Sequence, residues 1–290
     1  MIDPPKPPSS PSSPSSPPKL PSSNGAAATT ETPRIKKNFS VSSGIVRDKH
    51  KIGIYGRGGV GKTSLASLIK KVGVEPFFID LDHGSEDIDV SRIGREIETW
   101  DDLRDILHNK KLLEPYGAII IDSATKAQEL AVEWTLKNIP RTSGKTTTYV
   151  KNLKSYGWAD GDAFLYDTFL QMLGDLDHLA NSKHIILICH ACEAEMPNPE
   201  GENYLSYMPL LARATKGDIR SRVRDWVDHL LYVEIQRFVS EEKRAVGDGT
   251  RMIYPVELPY AWAKSRTLRD PMIFNENDPE LWKIMFNERK

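Results

Sequence analysis

Lys51-Ile-Gly-Ile-Tyr-Gly56-Arg57-Gly58-Gly59-Val60-Gly61-Lys62-Thr63-Ser64 is the stretch on which the reading of the chain turns. It has the form G-x-x-x-x-G-K-[ST], the phosphate-binding P-loop. Lys51 to Tyr55 is a short apolar run suited to a buried strand. From Thr63 onward, Leu65, Leu68 and Ile69 fall on one helical face. A glycine loop between strand and helix aims backbone N–H groups and a helix N-terminus at one point, where phosphate oxygens bind. Gly56, Gly58, Gly59 and Gly61 are expected to supply dihedrals that residues with a Cβ avoid. Lys62 would reach the terminal phosphates of ATP, and the Thr63 hydroxyl would hold Mg²⁺. Arg57, Val60 and Ser64 complete the cradle.

Outward from this loop, apolar strands alternate with helices. Phe77 to Ile79 form a second strand, ending in Asp80 and Asp82. Thr99 to Asp102 resembles a helix N-cap, and Leu103, Ile106 and Leu107 follow at helical spacing. Gly117 to Ile121 is a third strand, ending in Asp122-Ser123, with a helix from Ala124 to Lys137. Trp134 to Ala159 reads as irregular. Asp162 to Asn181 is helical, and His184 to Cys189 is a fourth strand ending at His190. Near-continuous apolar strands between helices imply a mostly parallel α/β sheet with helices on both faces. The C-terminal part changes character. His229 to Ile235, Met252 to Leu258 and Tyr260 to Lys264 read as strands, with a hairpin turn at Val246 to Thr250, so that C-terminal antiparallel strands are expected beside the parallel sheet. Asp278 to Phe286 reads as a closing helix.

The 290 residues carry a formal net charge of −1, so nucleic-acid binding must rest on local patches. No apolar run is long enough to span a membrane, and no signal-peptide core is visible at the N-terminus. Two cysteines, Cys189 and Cys192, exclude a disulfide scaffold and fit a reducing cytoplasm. They are expected to be a buried strand-end thiol and a loop thiol. Met1 to about Arg34 is Pro- and Ser-rich and holds half of the 20 prolines. Residues 1–45 are therefore expected to be a disordered tail, and residues 46–290 the folded P-loop domain.

In an open α/β sheet the site lies beyond the carboxyl ends of the strands. Asp122 then occupies the place of a carboxylate that orients Mg²⁺. Asp82, or its neighbour Asp80, can orient or deprotonate an attacking water. His190 can sense the γ-phosphate.

These residues resemble known families. Phe78-Ile-Asp80-Leu-Asp82-His83 looks like the RecA segment that carries the catalytic glutamate, with an aspartate, Asp82, in its place. Ile120-Ile-Asp122-Ser123 looks like the RecA Walker B strand. Ile188-Cys189-His190 lies where RecA has a polar γ-phosphate sensor ahead of a DNA-binding loop. Ala263-Lys264-Ser265-Arg266 looks like the K-x-R motif of RecA-like hexameric ATPases such as replicative helicases. From Gly56 to about Arg269 the pattern is most similar to the phage nucleotide-binding AAA-type family, which contains RecA-like single-strand annealing proteins. The resemblance implies a RecA-like ATPase using ATP and Mg²⁺. It also implies a homo-oligomeric ring or filament, in which Lys264 and Arg266 reach a neighbour's nucleotide. The Pro-rich N-terminus has no counterpart there.

Single-stranded DNA is the partner that the resemblance implies, and the residues supply candidates. Trp134 to Ala159 contains no acid, and Lys151 and Lys154 flank Tyr156 and Trp158. Backbone-tracking cations with stacking rings suit single strands. A second basic cluster, Arg213 to Arg224, includes Arg220 and Arg222. The rival reading is a ParA/MinD-type ATPase, a dimerising switch that binds protein or duplex DNA. Arg57-Gly-Gly-Val-Gly-Lys-Thr resembles that family's loop but lacks its signature lysine.

Overall fold

The computed structural model describes residues 49–236, 238–239, 245–246 and 249–287, together with 41, 43 and 44. The Pro/Ser-rich stretch to Arg34 and the start of the expected domain at Val46 lie outside them. Residues 247 and 248 of the expected hairpin turn do so too. Arg47–Lys290 forms one unit, distinct from Met1–Val46.

In chain order the elements are β1 (Lys51–Gly56), α1 (Lys62–Ser67), β2 (Pro76–Asp80), β3 (Ser91–Ile93), α2 (Trp100–His108), α3 (Lys110–Leu113), β4 (Ala118–Asp122) and α4 (Ala124–Asn138). They continue as β5 (Arg141–Ser143), β6 (Thr146–Thr148), α5 (Asp160–Leu179), β7 (His184–Met196), β8 (Tyr204–Pro209), α6 (Ile219–Trp226) and β9 (His229–Ile235). Last come β10 (Phe238–Val239), β11 (Ala245–Val246), β12 (Arg251–Tyr254), β13 (Met272–Phe274) and α7 (Glu280–Asn287).

The main sheet runs β13-β12-β9-β1-β7-β4-β2-β3. From β9 to β3 the strands are parallel, and β12 and β13 add antiparallel pairs at one edge. Both faces are apolar because successive side chains alternate. Ile52, Ile54, Phe78, Ile120 and Ile186 point to the side covered by Leu65 of α1 and by Trp282 and Met285 of α7. Tyr55, Phe77, Ile119, Ile121 and Leu187 point to the side covered by α2, α4 and α5. Each such side chain contributes roughly 1.5–3 kcal/mol when fully buried. The Trp282 indole also donates to the Leu65 carbonyl at 2.8 Å, which fixes α7 against α1.

Several expectations change. The fourth parallel strand does not end at His190: β7 has 13 residues, and beyond His190 it pairs antiparallel with β8 as a ribbon. Cys192 is therefore on a strand rather than in a loop, while Cys189 is buried, its thiol pushed up to about 12 by desolvation. The stretch after Trp134 is not wholly irregular, since α4 runs to Asn138 and β5 and β6 form a small hairpin turning on Gly144. Tyr260 to Lys264 makes isolated bridges, Ala261 to Tyr207 and Leu258 and Lys264 to Leu230, rather than a regular strand. The capping pattern before α2 is present in full: Thr99 and Asp102 exchange side-chain and backbone bonds.

Candidate active site

The parallel register brings the strand ends together. Gly56 is level with His190, and Asp80 with Asp122. The glycines of the loop then divide by role. Gly59 and Gly61 have φ of 77° and 90°, which only glycine adopts readily. Gly56 is needed for space, because a Cβ there would lie 2.2 Å from the Val233 carbonyl of β9. Gly58 has open space, and neither it nor Gly56 has a positive φ, so the expectation of a special dihedral is corrected for both. Gly61, the N-cap of α1, provides no side-chain acceptor, which leaves first-turn N–H groups to an anion. Val60 is buried beneath the loop and Ser64 is half-buried.

Lys62 is buried, and its ammonium donates to the Gly56 and Arg57 carbonyls at 3.0 Å each. Burial lowers its pKa, while Asp122, Cys189 and Asp82 oppose that. The Thr63 hydroxyl donates to Asp122 Oδ2 at 2.6 Å. Burial raises the Asp122 carboxyl to about 6; the Thr63 bond and Lys62 pull it down, and Asp80 and Asp82 push it up. Gly84 closes this corner, its Cβ position 3.4 Å from Thr63 Oγ1 and 3.8 Å from Asp122 Oδ2.

The two carboxylates after β2 have different work. Asp80 is buried and accepts from Gly84 N, Ser85 N and Ser85 Oγ, so it ties down the following loop and is not a free base. Asp82 is partly exposed. Its N–H donates to the Asp122 carbonyl at 3.1 Å, and its Oδ2 lies 3.0 Å from His190 Nε2. The structure thus brings together four predicted residues, Lys62, Thr63, Asp122 and Asp82, with His190 paired to the last. His190 is held from behind, where its N–H donates to Thr125 Oγ1 at 3.1 Å. Glu86, further along the loop after β2, pairs with Arg95.

Arg57 turns its guanidinium to the ribbon, bonding Glu193 of β7 and Tyr207 of β8 and lying 5.0 Å over the Tyr207 ring. Glu193 and Tyr207 are 136 and 150 residues from Arg57 in sequence and gave no sequence signal. Gly84 and Ser85 had one: a Gly-Ser pair shortly after an acid at a strand end is turn chemistry.

The remaining candidates separate. Lys264 and Arg266 do not reach this loop. Lys264 bridges Leu230 and donates to the Asp225 carbonyl at 3.3 Å, and Arg266 pairs at 2.8 Å with buried Asp228, which precedes β9. Both lie at the amino ends of the strands. Of the nucleic-acid candidates, Lys151, Lys154, Trp158 and Arg222 are exposed. Arg220 is buried and donates from Nε and Nη2 to the Leu211 carbonyl, and Tyr156 is buried with its hydroxyl on the Thr135 and Ile139 carbonyls. Both are structural, which corrects the expectation that they contact a polynucleotide. Lys216 and Arg224 are paired with Asp160 and Glu257.

A parallel sheet with a strand–loop–helix phosphate cradle and a Thr–Asp pair beside it defines a P-loop nucleotide hydrolase. The family model described as AAA domain matches residues 48–267, and the chain belongs to that family. No curated protein matches it. The residues fit the nucleotide and Mg²⁺ that such proteins use. Among the described residues no group of three His, Cys, Asp or Glu could hold a metal alone; Thr63 and Asp122 would share Mg²⁺ with phosphate oxygens and water, which suits that ion. Bound there, Mg²⁺ would neutralise charge developing on the phosphates. Among the described residues no helix is long and apolar enough to cross a membrane.

Proposed function

We propose that this AAA-family ATPase uses ATP with Mg²⁺ and binds single-stranded DNA, as an annealing or recombination protein that works as a homo-oligomer. The observation that carries the DNA reading is Trp158. Its side chain is 89 % exposed, and it and Ala159 stand in the left-handed region with φ of 34° and 60°. Such backbone costs on the order of 1–3 kcal/mol per residue and persists where surroundings impose it, most often at functional sites. An indole held out on strained backbone has no packing reason to be there. Exposed Tyr149, Lys151 and Lys154 stand in the same acid-free segment, the composition that tracks a single strand by stacking and phosphate contact. In the catalytic part of this reading, Lys62 binds the terminal phosphates, Asp122 and Thr63 hold Mg²⁺, and Asp82, steadied by His190, orients the attacking water.

Fluorescence anisotropy with labelled single- and double-stranded oligonucleotides, with and without ATP, tests the proposal. Salt-sensitive, ATP-dependent preference for the single strand is expected. Preference for duplex would favour the dimerising-switch reading, and no binding to either would remove the DNA role while leaving the ATPase.

A further inference from the structure

We propose that Glu193 and Tyr207 are positioning residues that hold the P-loop side chain Arg57 on the β7–β8 ribbon, in competition with the bound polyphosphate. The inference rests on the ATPase reading. Arg57 is the second residue of the loop whose backbone cradles phosphate, and its carbonyl already accepts from Lys62. A guanidinium on a stem of that length, rooted there, reaches both the ribbon and a phosphate oxygen. It is a planar fork that matches either partner, carboxylate or phosphate. In the structure it is on the ribbon, bonded to Glu193 Oε1 and Tyr207 Oη and stacked on the Tyr207 ring.

The same ribbon touches the site once more. His190, at the root of the ribbon, meets Asp82 at 3.0 Å, and Glu193 is three residues further along β7. The ribbon thus holds one cation and one carboxylate of the nucleotide site. The hold on Arg57 is weak enough to exchange: both charged side chains are 45 % exposed, and exposed ion pairs are shallow. Arg57 released from Glu193 joins the phosphates and stabilises the charge that develops as the terminal phosphate departs, the role an arginine plays when supplied in cis.

The test is steady-state ATP turnover without nucleic acid for wild type, Glu193→Gln, Tyr207→Phe, Arg57→Ala, and Arg57→Ala with Glu193→Gln, each checked for an unchanged melting curve. Glu193→Gln is expected to raise kcat/KM about two- to fivefold, the population shift that one exposed ion pair supports. Tyr207→Phe moves it the same way. Arg57→Ala lowers kcat by at least about tenfold, and the double variant matches Arg57→Ala, because the carboxylate acts only through the guanidinium. The ratio of Glu193→Gln to wild type should shrink as ionic strength rises, since salt weakens the pair in the wild type. A purely structural role for Glu193 would not show that trend. Turnover that is unchanged or lowered in Glu193→Gln, or a rise that survives in the double variant, overturns the proposal alone. A wild type that turns over no ATP overturns the underlying ATPase reading with it.

Discussion

At the scale of single residues, Asp122 carries a pH dependence with a definite sign. Its folded value of about 6 lies above the ordinary 3.8, mainly because it is buried. A carboxyl raised on folding stabilises the fold fully below the unfolded value, and that stabilisation is lost as pH rises through the folded one. The shift of about two units corresponds to at most ~3 kcal/mol. Asp122→Asn should therefore melt higher than wild type at about pH 7.5 and show little difference at about pH 4. An equal offset at both values would mean that burial does not govern this carboxyl. The loop glycines give a second test. Gly56→Ala forces a methyl onto the Val233 carbonyl, whereas Gly58→Ala points into open space. The first should cost ~1–3 kcal/mol or more. The second should stay within about 0.5 kcal/mol in a denaturant titration. Equal losses would contradict the division of roles.

At the scale of elements, the segment from α4 to α5 separates an outward ring from an inward one. Tyr156 packs edge-on against Phe164 at 5.1 Å and is tied by its hydroxyl to the end of α4, while Trp158, two residues on, is exposed. Trp158→Ala should weaken single-strand binding by about 1–3 kcal/mol with an unchanged melt. Tyr156→Ala should lower the melt by the ~3–5 kcal/mol typical of a lost buried aromatic. If Trp158→Ala unfolds the protein, the ring is structural after all. Neither orientation was legible in the sequence. An acid-free run with several rings and lysines shows composition, and composition does not say which ring is buried by a helix arriving later. Arg220 teaches the same lesson: its charge suggested a surface, but its guanidinium is buried with two donors on the single Leu211 carbonyl. What the sequence did show was local and periodic. The cradle, the strands ending in Asp80 and Asp122, and the apolar faces of α2 and α5 rest on spacing within one element. The Asp82–His190 and Arg57–Glu193 pairs join residues 108 and 136 apart, and only the sheet register makes them neighbours.

At the scale of the whole molecule, the sheet has two ends with different chemistry. The phosphate loop follows the carboxyl end of β1; Lys264 and Arg266 flank the amino end of β9, its neighbour. Asp228, which holds Arg266, bonds Lys51, five residue steps or about 16 Å from Gly56, and Lys264 is level with Gly53, three steps or about 10 Å away, with its ammonium turned further off to the Asp225 carbonyl; neither side chain is directed at the loop of its own chain. A second copy stacked head to tail would bring one chain's lower edge over another's upper edge, the geometry of a ring or filament. The expected outcome is complementation: inactive Arg266→Ala protein, with its loop intact, regains turnover when mixed with Lys62→Ala protein, whose cations are intact. Arg266→Ala at full activity, at dilutions where only monomer sediments, would assign Arg266 to Asp228 alone.

β7 differs from its neighbours in length. Its first half is clamped between β1 and β4, and its second half leaves the sheet with only β8 beside it. At about 3.3 Å per residue it is roughly 40 Å long, and Ala191, Cys192, Ala194 and Met196 of the second half still pack against the hydrophobic core. His190 sits where the strand leaves the sheet. Tyr204 and Leu205, opposite Met196 and Glu195, stand exposed near the tip, so one continuous strand joins that surface to the residue that meets Asp82.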